Sequence, residues 1–184
     1  MRAFVKVVGA ACAIGVIAGC SGTPSPKDDS DFVYLLDRKP TWQEIAVTTL
    51  PPLPNSADVL PFDVSTTSPL KFGIDAKSVL VGKDGIVRFT AVITSPAGAR
   101  NVYYEGIRCD NYAWRLYAAA NDAGTGWDRG VANDWERIAN SELNSYQGAL
   151  YQDYMCSNRL PSGSAKSIVG RIRWKRIAED ENNN

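Results

Sequence analysis

Gly82-Lys83-Asp84-Gly85-Ile86-Val87-Arg88-Phe89-Thr90-Ala91-Val92-Ile93-Thr94 leads into a Ser95-Pro96-Ala97-Gly98-Ala99 corner, followed by Arg100 to Cys109 and Tyr112 to Ala118. Lys83-Asp84-Gly85 reads as a hairpin turn in which Gly85 is free to take positive φ. The residues after it alternate. Val87, Phe89, Ala91 and Ile93 share one face of an extended strand, and Arg88, Thr90, Val92 and Thr94 share the other. The corner returns the chain antiparallel. With Ser95 opposite Arg100, Thr90 faces Glu105 and Arg88 lies diagonal to that carboxylate, so Arg88 and Glu105 are expected to form a structural ion pair. With Asp110-Asn111 as the next turn, Ile107 faces Trp114 and Gly106 faces Arg115. Tyr104, Arg108, Arg115 and Tyr117 then fall on one face, and Ile107, Cys109 and Trp114 on the other. A one-residue slip would exchange the faces.

Working outward, Val59 to Val64 reads as an edge strand, because Pro61 cannot donate to a ladder. Leu70 to Asp75 alternates like a half-buried strand, and Ser78 to Val81 is a short one. Asp134 to Ile138 reads as a further strand. Leu143, Tyr146, Leu150 and Tyr154 recur at helical spacing, so a helix is expected from Leu143 to Met155 despite Gly148. Ser164 to Ile177 suits a second helix, although the Ile172/Trp174 alternation also allows a strand. Its Arg171, Arg173, Lys175 and Arg176 form a solvated face or a contact for anionic headgroups. The expected fold is α+β: an antiparallel sheet of roughly five to seven strands with one or two C-terminal helices packed on it.

The stretch before the sheet is less regular. Phe32 to Lys39 is a helical or extended lead-in. Thr41-Trp42-Gln43-Glu44 resembles a capping box with Thr41 as N-cap, yet Pro51-Pro52 limits a helix there to about two turns, and Ile45 to Thr49 suits a strand equally well. Leu50-Pro51-Pro52-Leu53-Pro54 has polyproline character and is expected to pack as an extended belt, with ligand docking as the alternative.

At the start of the chain, Arg2 and Lys6 precede an apolar run from Val7 to Ala18. That run suits a signal peptide and falls short of the roughly 20 residues that a spanning helix needs. It ends in Ile17-Ala18-Gly19-Cys20, which resembles the lipobox of bacterial lipoproteins. The resemblance implies cleavage before Cys20 and lipidation of its thiol. Ser21 after the cysteine resembles the default signal for outer-membrane sorting in Gram-negative cells. The expected layout is a signal peptide over 1–19, a lipidated N-terminus and tether over 20–31, one globular domain over 32–178 and a polar tail over 179–184. Gly22 to Asp31 has little to bury, as a tether should.

The whole chain has 184 residues and a formal net charge of zero. Loss of residues 1–19 removes two basic and no acidic side chains, leaving a slightly acidic domain large enough for one core. Such a balance gives no case for nucleic acid as a partner. Of four cysteines, Cys12 leaves with the signal and Cys20 takes the lipid. Cys109 and Cys156 remain, and two thiols in an exported domain are expected to form a disulfide. The competing reading is a reactive cysteine, although there is no CxxC spacing.

Histidine is absent from the sequence. Its absence removes Ser-His-Asp and Cys-His hydrolases and histidine-ligated zinc sites, so no metal or cofactor is assigned. The charged residues of the central block leave three uses. Glu105 with an arginine is structural. Arg108 and Arg115, flanked by Tyr104 and Tyr117, could bind a carboxylate, phosphate or sugar acid through bidentate hydrogen bonds. Glu105 with Asp110 or Asp75 could form a carboxylate pair acting on cell-wall material.

From Leu60-Pro61-Phe62 through Gly82-Lys83-Asp84-Gly85, Gly98-Ala99-Arg100-Asn101-Val102, Tyr104-Glu105-Gly106-Ile107-Arg108-Cys109 and Tyr154-Met155-Cys156, the sequence resembles the CNP-one-like domain family of exported proteins. The likeness covers roughly Gln43 to Arg173, with Met155 where an aromatic is expected. It implies no activity. The sequence therefore points to a non-catalytic envelope lipoprotein, tethered to the outer membrane by its lipid, facing the periplasm and serving a protein partner. A binder of small anions or glycans and a histidine-free enzyme are the alternatives.

Overall fold

The computed structural model describes residues 42–64, 68–139 and 146–178. The expectations for the signal peptide, Cys20, the tether, the 32–39 lead-in, Thr41 and the tail lie outside those residues.

The described residues build an antiparallel sheet of eight strands. These are β1 (Val59–Phe62), β2 (Lys71–Asp75), β3 (Leu80–Val81), β4 (Ile86–Thr94), β5 (Arg100–Arg108), β6 (Ala113–Ala120), β7 (Trp127–Asp128) and β8 (Glu136–Arg137). The spatial order is β1-β2-β4-β5-β6-β7, with β3 also pairing with β4 and β8 with β6. Pro61 sits in the terminal strand β1, opposite Gly73, where its missing N–H costs no ladder bond. Downstream come helix α1 (Tyr146–Ala149), a π-helical turn (Leu150–Met155), the small hairpin β9 (Cys156–Ser157) and β10 (Leu160–Pro161), and helix α2 (Ala165–Trp174). The architecture is α+β.

One face of the sheet carries the core. Phe72 and Ile74 of β2, Val87, Phe89 and Ala91 of β4 and Ile107 of β5 pack against Tyr146, Leu150, Tyr154, Met155, Ile168 and Ile172. Of the expected helix over 143–155, the first three residues lie outside the described ones, and the rest is only partly α-helical. Tyr146, Leu150 and Tyr154 keep their inward spacing, but the wider π turn also buries Met155 just before Cys156 goes extended. Cys156 then meets Cys109 in a disulfide with a Cα–Cα distance of 5.6 Å and a sequence separation of 47. The staple ties the turn after β5 to the strand after the π turn. Helix α2 is the second expected helix. Ser164 caps it by accepting from Ser167 N–H, and Lys175 closes it in the left-handed region. Its basic residues divide: Arg171 is buried and donates to Ser162 Oγ, whereas Lys175 pairs with Asp63 at 2.7 Å.

The register corrects one expectation. Ser95 pairs with Ala99 rather than Arg100, since Ser95 N–H donates to Ala99 O and Gly98 takes a φ of 85°. Pro96-Ala97-Gly98 is thus a three-residue loop closed by a left-handed glycine, one residue shorter than read from the sequence. Glu105 consequently lies opposite Phe89, on the core face, and Thr90 lies opposite Tyr104. On the other side of β5 the expected pairs Ile107–Trp114 and Gly106–Arg115 are present. A bulge then inserts Tyr117 between Leu116, opposite Glu105, and Ala118, opposite Tyr104.

Among the described residues, no helix packs on the second face of the sheet. The irregular segment Trp42–Pro54 lies across it, without the helical or strand structure that Trp42–Thr49 was read to allow. Among these residues only Pro54 is buried, and none belongs to the apolar core.

Candidate functional site

The site is the meeting of this strap with the outer sheet face. Arg88, Gly106 and Arg115 form one row across β4, β5 and β6. Two guanidiniums are thereby set on either side of a glycine. Tyr117, freed by the bulge, lies over Gly106: a Cβ there would stand 2.8 Å from its hydroxyl and 2.9 Å from its ring. Its ring centroid is 5.6 Å from both arginine carbons. Only the absence of a side chain at position 106 allows this arrangement.

Into that row the strap delivers Glu44. One carboxylate oxygen accepts from Tyr117 OH at 2.7 Å. The other accepts from Arg115 Nη1 at 2.8 Å and from Trp135 Nε1 at 2.9 Å. Arg88 stands 3.7 Å away. Three charge-assisted or dipolar donors and a second cation therefore converge on one carboxylate. Arg88 itself is buried and makes its closest pair with Asp84, at 2.7 Å. Burial acts to raise the Asp84 carboxyl, but the Arg88 hydrogen bond, the Ile45 and Ile86 N–H groups and the Arg88 charge bring it below its ordinary value. Burial pushes the Tyr117 hydroxyl strongly up, and donation to Glu44 adds to the shift, so it stays a donor. Arg88 Nε and Arg115 Nε are buried without an acceptor. The cage thus holds more donor capacity than Glu44 and Asp84 use.

The remainder of the strap is gripped by its carbonyls. Arg88 donates to Ile45 O, Arg129 to Val47 O and Thr48 O, Trp127 Nε1 to Pro51 O and Arg100 to Pro54 O. In the opposite direction, Trp42 Nε1 donates to Asp84 O and Ile45 N–H to the Asp84 carboxylate. Pro51, Pro52 and Pro54 have no N–H, so this stretch can offer acceptors but cannot extend the sheet as a strand. Proline-rich segments dock in aromatic-lined grooves, and Trp42, Trp127 and Trp135 give this contact an aromatic character.

The four residues read as a possible ligand face do come together here. Tyr104 is buried, with its ring centroid 5.6 Å from Tyr117 and 6.2 Å from Trp127. Arg108 makes two hydrogen bonds to Asp110, at 2.6 and 2.7 Å, and stacks 3.6 Å over the Trp42 ring. Arg115 and Tyr117 hold Glu44. None of the four lines the cleft of about 770 Å³ at the far end of the strap, whose walls include Leu53, Pro54, Arg100, Tyr103 and Asp128.

The expected Arg88–Glu105 pair does not form, because the one-residue slip puts the two side chains on opposite faces. Glu105 is 2 % exposed and bonds to Tyr146 OH and, at 3.4 Å, to Gln147 Nε2; its second oxygen has no partner. Burial raises its carboxyl to about 7, against the pull of those two donors. Neither of its proposed carboxylate companions is a bonded neighbour. Asp110 is held by Arg108, and Asp75 caps the turn after β2 by accepting from Lys77 N–H. Among the described residues, no group of three or more Cys, Asp or Glu could hold a metal ion.

Sequence reasoning missed Glu44, Asp84, Trp135 and the carbonyl-gripping Trp127 and Arg129. Glu44 was visible only as the fourth residue of a capping box. Its real partners lie 71 to 91 residues away.

The model of the CNP1-like family matches residues 37–173, which include the strap, the cage and the disulfide. The chain belongs to that family. No curated protein and no solved structure matches it.

Proposed function

We propose that this chain, a member of the CNP1-like family, is an exported, lipid-anchored and non-catalytic interaction module, tethered to the outer membrane on its periplasmic side. One observation carries the interaction reading: a whole sheet face is built to hold an extended polypeptide. It does so through side-chain donors aimed at five backbone carbonyls and one carboxylate. The small-anion alternative is less well supported, since Arg108, Arg115 and Tyr117 already have acceptors from the chain itself.

Export is supported by the Cys109–Cys156 disulfide, which persists in oxidising compartments, and by the Ile17-Ala18-Gly19-Cys20 motif. Multiple acyl chains at Cys20 would anchor the domain where one would not. Palmitate labelling tests the anchor: label is expected on the wild type and absent from Cys20→Ala, and label persisting in that variant contradicts it. Crosslinking and pull-down from the native envelope test the module. Reproducible recovery of a protein partner is expected, and none recovered under mild detergent counts against it.

A further inference from the structure

We infer that the Arg88–Arg115–Tyr117–Trp135 cage is a receptor for an extended acidic peptide segment of a partner protein, and that Glu44 occupies it in cis as a displaceable internal ligand. The inference deepens the interaction-module reading by naming the site and the chemistry of the partner, and it does not depend on the lipid anchor.

Three features lead there. The strap is held mainly by polar contacts. Most of its residues are exposed or half-buried, Ile45 is 52 % exposed, and none belongs to the apolar core. Segments with few buried apolar contacts open at a small fraction of the global unfolding free energy. The cage, in contrast, stands mostly on the three longest strands: the Arg88–Gly106–Arg115 row, the Tyr117 bulge and the Asp84–Arg88 pair belong to the sheet or its hairpin turn, and Trp135 joins them from just before β8. With Glu44 withdrawn, Arg88 and Arg115 face Asp84 alone, leaving one uncompensated positive charge beside Tyr117 OH and Trp135 N–H.

The ligand chemistry follows from the strap itself. A fitting segment is extended, places an aromatic residue two positions before a glutamate so that the ring meets Arg108 as Trp42 does, and continues into proline-rich chain whose carbonyls reach Arg129 and Trp127. A strap joined to its own domain competes at high effective concentration, so an added peptide binds the wild type with its affinity reduced by the fraction of open strap. Weakening the strap removes that penalty.

The test uses the whole chain in mild detergent and a fluorescent peptide with the sequence Trp42–Pro54. Glu44→Gln is expected to bind this peptide at least tenfold more tightly than the wild type. The same peptide with glutamine at the glutamate position is expected to bind Glu44→Gln at least tenfold more weakly than the native peptide. Equal binding of the two peptides, or no binding to a folded Glu44→Gln, overturns the inference. Should Glu44→Gln not fold, 5-fluorotryptophan is placed in the wild type and the peptides are added in excess. The fluorine signals of Trp42 and Trp135 are expected to shift with the glutamate peptide and not with the glutamine one; no shift overturns the inference. Saturation by a second copy of the chain in place of the peptide, seen as a dimer exchanging straps, also overturns it, because the partner is then the protein itself.

Discussion

Strand β5 separates two carboxylates, one buried and one half-buried, that are handled in opposite ways. On the helix side Glu105 sits among Phe89, Ile107 and Tyr146 with a phenol and an amide for company and no cation, and its carboxyl is raised to about 7. On the strap side Glu44 meets Arg115, Tyr117, Trp135 and, further off, Arg88. The inner face is a core closed by apolar packing and a disulfide. The outer face is a polar clamp closed by a removable piece of chain. A carboxylate among cations and donors is held in place, whereas a buried one without a cation tends to take up a proton.

The largest break in that contrast comes from the cation on the outer face. Arg88→Met leaves Asp84 buried without its partner and removes a strap contact, and is expected to cost about 3–5 kcal/mol in urea unfolding. A loss under about 1 kcal/mol would mean that Asp84 is solvated. On the inner face, Cys109→Ser with Cys156→Ser opens a bridge of sequence separation 47 and is expected to cost about 4 kcal/mol in urea unfolding relative to the oxidised wild type.

Glu105 gives the contrast a pH signature. Its folded carboxyl keeps a proton up to about 7, while the unfolded one releases it near 4.5. Between those values the native state binds more protons, so stability falls as pH rises from about 4.5 to 7 and is level above. Glu105→Gln removes this slope and is expected to be more stable than the wild type at pH 8 by on the order of 3 kcal/mol. Unfolding curves at pH 5 and pH 8 decide it, and an unchanged pH slope in the variant would contradict it. Gly106→Ala is the mildest change, at about 1–3 kcal/mol. The new methyl must push Tyr117 off the row, so the loss should be smaller in a Tyr117→Phe background, which lacks the hydroxyl 2.8 Å away.

What was legible in the sequence followed from periodicity. The alternation in β4, the Asp110-Asn111 turn and the spacing of Tyr146, Leu150 and Tyr154 placed the sheet, one register and the helical layer. The pair Cys109 and Cys156 was readable because few thiols remained. The β4–β5 register was missed by one residue. Whether Gly98 closes a three-residue or a four-residue loop depends on its φ, which composition does not reveal, and the slip moved Glu105 across the sheet. The clamp was hidden for a different reason. Glu44 reaches partners on β6 and near β8 through side-chain hydrogen bonds, which leave no local pattern, and the prolines that marked Leu50–Pro54 as extended said nothing about what it lies on.

The most direct test of the outer clamp is a double-mutant cycle between Glu44→Gln and Arg115→Gln, measured by equilibrium unfolding. A strap held by this cage predicts a coupling of about 1 kcal/mol or more between the two positions. Additivity within about 0.3 kcal/mol would contradict it, because the strap would then lie on the sheet without being gripped.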